Sequence, residues 1–434
     1  MPRIALVGVA HVELTRRVLS DLFLHPELRG QLEIVLHDDD PGVLATSESL
    51  VRALDTEADA AATILATADR HKALDGADFV VAYLDVGGFE ATLKDFEIPH
   101  RYGLRQTIGD TIGIGGIFRG LRTIPAFVDL GQQMAELCPD AWLLSCSDPM
   151  AMTGWAVEEA TAFGRFVGVC HAVCDTHIYL ADLVGRDVDD VDFLSAGLNH
   201  QSFVLRFEAG GTDLYRELDN AVEADEELAR HVRVELYRRF GYFPTQSSEH
   251  AAEYVPWFLR HPGETTRLGV PVEEYLRRAG KSLHQYEETR RALSAGKPLL
   301  IRYQHQEPAA AAILAMLTGQ PKQVYVNVRN GGLIDNLQAG SCVEVPATVD
   351  ATGVHPQAVG ELPIQLAALN RTFLNVVELT VRAVLDEDRR HIYHAAMLDP
   401  NTAATLPLPA IERLCDELIA AHGSLLPAAI GTVR

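Results

Sequence analysis

Cys170 and His171 stand directly after an apolar run, Val167, Gly168 and Val169. Asn199 and His200 stand directly after a second run that ends at Gly197 and Leu198. Each run reads as a β-strand that stops where metal-binding or acid–base side chains begin. Side chains at the carboxyl ends of strands in an open α/β sheet face the ligand crevice. Cys170 and His200 are therefore expected to enter one crevice and share a cation, with His171 beside them. Taken locally, the same residues also fit a buried small hydrophobe and a satisfied loop histidine. The elements around them decide between the two.

Residues 3–8 form a short apolar strand ending at Gly8, and Leu14, Val18, Leu19 and Leu22 follow at helical spacing. A second strand, residues 32–36, runs into His37, Asp38, Asp39, Asp40 and Pro41. Strand, glycine turn, helix, strand and acidic end are the opening of a dinucleotide-binding unit. Asp38 is placed to accept hydrogen bonds from an adenine-ribose diol. The turn reads Gly8, Val9, Ala10, His11, with side chains where backbone would approach a pyrophosphate, and Glu13 adds negative charge at the helix start. A doubly wound fold without a dinucleotide fits this turn as well. A strand over residues 79–84 leads to Val86, Gly87 and Gly88, where Gly87 suits close backbone contact with a cofactor.

Residues 95–123 read as a long glycine-rich, polar connection, and Asp110 and Arg119 within it suit a lid or substrate wall. Asp148, after a strand over residues 142–146, is either a helix N-cap or a crevice carboxylate near the metal. An amphipathic helix over 225–240 precedes a polar, aromatic cluster containing Tyr242, Gln246, Glu249 and His250. A tyrosine near a cation can act as a base, although Tyr242 also fits an amphipathic core position. Residues 260–295 read as a charged, solvated helical surface.

The expected fold is α/β. Residues 1–190 form a Rossmann-like doubly wound NAD-binding domain of the lactate/malate dehydrogenase kind. Residues 191–434 form an α+β substrate- and metal-binding domain. The net charge of −23 argues against nucleic-acid and anionic-membrane partners. No apolar run approaches the roughly 20 residues of a membrane span. The six cysteines are scattered without a CxxC or disulfide-framework spacing, which points to a reducing cytoplasm.

Together these residues resemble glycoside hydrolase family 4, the NAD- and divalent-metal-dependent glycosidases, and within it the bacterial α-galactosidase branch. The likeness is nearly end to end. It is most specific over 95–125, 140–157, 168–173, 241–258, 327–345 and 394–403. The resemblance implies redox-assisted elimination in place of two-carboxylate hydrolysis. Hydride passes from sugar C3 to NAD, a base removes the acidified C2 proton, an acid helps the aglycone leave, and water adds at C1. A metal, Mn2+ or another divalent cation, grips O2 and O3. The resemblance assigns Cys170 and His200 to the metal and Tyr242 to the base; Glu249 and His250, whose side chains are already basic at pH 7, are its rivals. His171 becomes the acid and Asp110 a further catalytic group. Gly8, Val9, Ala10, His11, Asp38 and Gly87 would hold the cofactor, and Asp148, Asn199 and Arg119 the sugar. A homodimer or homotetramer acting on a small glycoside is expected.

Four departures stand out. The family's Gly-Ala-Gly-Ser turn is Gly8, Val9, Ala10, His11 here, and its asparagine before proline is Asp148. The Ser-Val-Gln-Gly that follows Cys-His in the branch is Ala172, Val173, Cys174, Asp175, and a glutamate in its Thr-Glu-Ser-Ser-Glu-His is Gln246. Two other classes stay open: a nicotinamide-dependent sugar dehydrogenase, and a divergent non-catalytic sugar- or cofactor-binding homologue.

Overall fold

The computed structural model describes residues 1–297 and 307–431. The first apolar run becomes strand β1 (Arg3–Val7), with Ile4, Ala5, Leu6 and Val7 buried. A run without polar alternation suits a strand covered on both faces. The Val12–Phe23 helix that follows buries Val12, Leu14, Val18, Leu19 and Leu22. The chain continues through β2 (Glu33–His37), β3 (Thr63–Thr67), β4 (Phe79–Ala82), β5 (Trp142–Ser145) and β6 (Phe166–Gly168). These strands pair in parallel in the order β3-β2-β1-β4-β5-β6. That is the Rossmann order, with its switch point between β1 and β4. β3 gives no clear sequence signal because it is an edge strand in which only Ile64 is buried.

The sheet continues past β6. The remaining strands are β7 (Asp192–Leu198), β8 (Gln201–Ala209), β9 (Thr212–Asp213), β10 (Lys322–Arg329), β11 (Cys342–Asp350) and β12 (Gly353–Pro356). β10 joins β6 with Asn327 opposite Gly168, and β7 joins β11 with Gly197 opposite Glu344. Among the described residues this makes one twelve-stranded sheet, shared by the segments 1–190 and 191–434. Gly168 is needed at the seam. A Cβ there would lie 2.6 Å from Met150 Sδ and 2.9 Å from Asn327 Cβ. The close β6–β10 seam holds the two halves of the sheet together, so that the end of β6, followed by Cys170, and the end of β7, followed by His200, open on one side with β10 and β11 between them.

Two sequence readings are corrected. Residues 95–123 are not one long connection, since helices span Gly88–Arg101 and Gly113–Leu137. The glycines mislead because they serve packing. A Cβ on Gly115 would sit 2.5 Å from the Gly109 carbonyl oxygen, and one on Gly116 would sit 2.5 Å from the Thr111 carbonyl carbon. The first turn of the second helix thus presses against the short loop carrying Asp110, and Arg119 lies on the helix itself. The Glu274–Ser294 helix is not solvated on all sides either. Its Tyr275, Arg278, Ser282 and Tyr286 face a crevice, while Glu287 and Arg290 pair on the outside. Among the described residues, no helix is long and apolar enough to cross a membrane.

Candidate active site

A crevice of about 980 Å³ opens at the carboxyl ends of the parallel strands. Gly8, Ala10, His11 and Asp38 line it at the β1 and β2 ends, and Asp110, Asp148, Cys170, His171, His200 and His250 line it toward the ends of β5, β6 and β7. Strand ends thus bring most of the expected groups into one space.

His200 follows β7 in a left-handed conformation, φ 67°, which aims its ring back over the sheet end. Its Nδ1 lies 2.7 Å from Thr111 Oγ1, and the Thr111 hydroxyl donates to Asp110 Oδ1 at 2.6 Å. Because the threonine proton goes to Asp110, the 2.7 Å contact requires His200 to carry its proton on Nδ1. Nε2 is then left with a free lone pair, as a metal ligand needs. Cys170 lies close enough to interact electrostatically with the same imidazole, and Asp148 Oδ1 lies 3.8 Å from Nε2. Burial would hold the imidazole neutral, but the charges of Asp148 and Cys170 outweigh it and push its pKa to about 10. So negative a surrounding favours a cation in place of that proton.

Ligating atoms of Asp110, His200 and His250 lie within 4.8 Å of one another. Burial pushes the Asp110 carboxyl up, but its hydrogen bond to His250 and the charges of both histidines hold it well below the usual range. Asp148 is shifted the other way, with burial pushing it up. Imidazole and carboxylate donors in this buried cluster, with the half-buried Cys170 thiol on the same crevice wall, suit a divalent transition metal, and Asp148 Oδ1 is without a hydrogen-bond partner beside His200. Burial, together with the charge of His200, holds His250 below its ordinary pKa, so its imidazole is neutral at pH 7. Its Nδ1 meets Ser247 Oγ at 3.0 Å and its Nε2 faces Asp110 Oδ1 at 3.8 Å.

His171 precedes the Ala172–Leu183 helix without capping it through its side chain, and its Nε2 lies 2.7 Å from Glu307 Oε2. The proton in that hydrogen bond makes the pair a candidate donor at the crevice wall. At the other end, Val9 turns its side chain into the core and Asp38 accepts the Val9 N–H at 3.0 Å. Val9 therefore points away from the crevice, while Ala10 and His11 line it. Gly8 is obligatory there, since a Cβ would meet the Tyr83 carbonyl oxygen at 2.0 Å. His11 caps the first helix by accepting the Leu14 N–H at 3.1 Å. This glycine cradle, helix start and acidic strand end fit a dinucleotide.

Some expected residues lie elsewhere. Gly87 packs behind the wall, where a Cβ would meet Ala91 Cβ at 2.6 Å, while Val86 and Phe89 face the crevice. Asn199 is buried, donating to Glu344 at 3.4 Å. Arg119 stands just behind the wall, 3.1 Å from Asp85 and 2.8 Å from the Tyr275 hydroxyl. Tyr242 is the largest displacement. It lines a second hollow of about 500 Å³ with Tyr215, Asp219 and Tyr237, away from the metal-binding groups. Its position after Gly241, which ends the Val232–Phe240 helix in the left-handed region, turns the chain outward there. Glu249 pairs with Arg278 at 3.6 Å.

Sequence reasoning missed Glu307, and it placed Glu253 and Tyr254 only in the polar, aromatic cluster suited to sugar binding, with no role of their own. Glu253 accepts the Gly109 N–H at 2.8 Å and the Ile108 N–H at 3.2 Å, which pins the Asp110 loop. Tyr254 donates to Thr111 Oγ1 at 3.1 Å. Both follow His250 by three and four residues on or just beyond the Ser248–Glu253 helix. That helical spacing was the available signal.

Residues 3–186 match the model for family 4 glycosyl hydrolases, and residues 195–402 match the model for the C-terminal domain of that family. An α-galactosidase of Bacillus subtilis (strain 168) is 40% identical, covering 98% of this chain and 99% of the relative. An α-galactosidase of Rhizobium meliloti (strain 1021) is 32% identical, covering 98% and 89%. Among solved structures, a 6-phospho-alpha-glucosidase from gut microorganisms in complex with NAD and Mn2+ superposes with a TM-score of 0.84. It is 20% identical and the match covers 98% of this chain and 99% of that one.

Proposed function

The chain belongs to the family 4 glycosyl hydrolases, and from that premise we propose that it hydrolyses neutral α-galactosides, using NAD and a divalent cation such as Mn2+. The observation that carries this reading is one continuous crevice, with a dinucleotide cradle at Gly8 and Asp38 and a thiol–imidazole pair at Cys170 and His200. A simple dehydrogenase or a non-catalytic homologue is less well supported, because the relatives matched end to end are named as glycosidases.

Bound in that crevice, the nicotinamide supplies a reversible hydride acceptor for sugar C3 and the cation an electrophile for its vicinal oxygens, which together acidify the C2 proton. Cys170 and His200 hold the cation. His250, neutral and aimed at the same space, takes the base role expected of Tyr242. His171, backed by Glu307, delivers a proton to the departing oxygen. Asp38 orients the adenine ribose, and its charge disfavours a 2′-phosphate.

The preference for a neutral sugar rests on charge. Arginines at or behind the wall already have carboxylate partners: Arg17 lies 3.9 Å from Glu307, Arg119 3.1 Å from Asp85 and Arg278 3.0 Å from Glu274. Asp110 and Asp148 face the catalytic end. A uronide or a 6-phosphate would meet net negative charge. Aryl α-galactoside, α-glucoside, α-galacturonide and 6-phospho-α-glucoside, assayed with NAD, Mn2+ and a thiol reductant, test this. The α-galactoside is expected to have the highest kcat/KM. A higher value for either anionic sugar would overturn the proposal.

The six cysteines are free, as suits a cytoplasmic enzyme. Exposed Trp257 and Ile364 offer apolar surface for a second copy in a homodimer or homotetramer, which light scattering would size.

A further inference from the structure

We propose that Asp148 is a third protein ligand of the cation held by Cys170 and His200, contributing an anionic oxygen. The proposal rests on the family 4 reading for the presence of that cation. Three observations lead to it.

First, Asp148 Oδ1 is shut off from water and has no hydrogen-bond partner. An unpaired buried carboxylate oxygen is costly, so such an atom marks a place where something else binds. The Met150 N–H lies near the same carboxylate and favours its charged form. Second, Oδ1 lies 3.8 Å from His200 Nε2. That is too long for a hydrogen bond, and it is a separation over which both atoms could serve one divalent cation as ligands. Third, the alternatives around His200 are engaged. Nδ1 is bound to Thr111, and Asp110 Oδ1 accepts the hydroxyl of that same threonine at 2.6 Å. Asp148 thus brings to the Nε2 side a carboxylate oxygen with no hydrogen-bond partner, beside the Asp110 carboxylate of the same cluster.

The position carries a chemical consequence. Thiolate and imidazole alone favour soft or borderline ions such as Zn2+, whereas a carboxylate shifts a site toward hard, oxygen-loving ions such as Mn2+ and Mg2+. Asp148 would therefore strengthen binding and tilt selectivity toward Mn2+.

The test is Mn2+ titration of the full-length chain under thiol reductant, without NAD or sugar, followed by calorimetry and by the EPR signal of free Mn2+. Asp148→Asn is close to isosteric, and its carbonyl oxygen can accept the Met150 N–H. It is expected to weaken Mn2+ binding by about tenfold or more, and Zn2+ binding by less. Asp148→Ser, smaller but also able to accept that N–H, should do the same and guards against a folding defect in one variant. If both variants bind Mn2+ within twofold of the unsubstituted chain while Cys170→Ser loses it, the assignment of Asp148 is overturned and the metal centre stands. If Cys170→Ser also binds Mn2+ normally, the centre itself is misplaced and the proposal falls with it.

Discussion

Thr111 and His200, 89 residues apart in sequence, meet at 2.7 Å between Oγ1 and Nδ1. The contact fixes which nitrogen of His200 carries the proton, because the threonine hydroxyl is already donated to Asp110. A second contact from the Tyr254 hydroxyl, which donates to Thr111 Oγ1 at 3.1 Å, keeps the threonine in place. Thr111→Val preserves shape and removes the hydroxyl. It should weaken Mn2+ binding by about 10-fold, the cost of losing a partner that orients a ligand. Calorimetry on the Thr111→Val protein measures this, and unchanged affinity would show that the hydroxyl does not set the tautomer.

His171 and Glu307 make the second long-range pair. Glu307→Gln should leave Mn2+ and NAD binding intact and slow cleavage of alkyl α-galactosides by about 10²-fold, while aryl glycosides with good leaving groups slow much less. Comparing methyl and p-nitrophenyl α-galactosides reads out the difference. Equal loss on both substrates would remove His171 and Glu307 from the acid role.

Cys170 and His200 were legible in the sequence because a buried strand that stops at a polar residue places that residue at the sheet's working edge. The Rossmann half was legible for a related reason, since the fully buried runs at residues 4–7 and 34–36 cannot be surface strands. Glu307 was not legible, because nothing local links it to a histidine 136 residues earlier. Gly115 and Gly116 suggested a flexible loop, because close helix–loop packing and loop freedom call for the same residue. Tyr242 was misplaced because an aromatic after a helix-ending glycine has two directions open to it, and local sequence does not choose between them.

The base assignment is tested by a pair of variants. Tyr242→Phe removes a hydroxyl from a separate hollow and should change kcat by less than about twofold. His250→Gln should lower it by about 10²-fold or more. Exchange of the sugar C2 proton with solvent D2O should follow the same split. Loss of exchange in Tyr242→Phe, with His250→Gln unaffected, would return the role to Tyr242.

His11 gives a pH dependence. Its Nδ1 accepts the Leu14 N–H, so the cap needs a neutral ring. Burial and the charge of Arg17 lower its pKa below the ordinary 6.5. A histidine whose folded pKa is depressed contributes stability above its unfolded pKa, and that stability is lost as pH falls through and below about 6.5. Melting temperature measured from pH 7.5 to 5.0 should therefore fall more steeply in the unsubstituted protein than in His11→Ser, whose hydroxyl caps at either pH. The cap is worth about 0.5–2 kcal/mol. Parallel curves would mean that the His11 cap does not titrate.

The most direct measurement is turnover of an α-galactoside in D2O with NAD, Mn2+ and thiol reductant, followed by NMR of the released sugar and by absorbance at the NADH band. Deuterium at C2 of the released galactose, with no NADH accumulating beyond one equivalent of enzyme, is the expected result. Galactose released with its C2 proton intact, or NADH rising with every turnover, would contradict hydrolysis by reversible oxidation in this crevice.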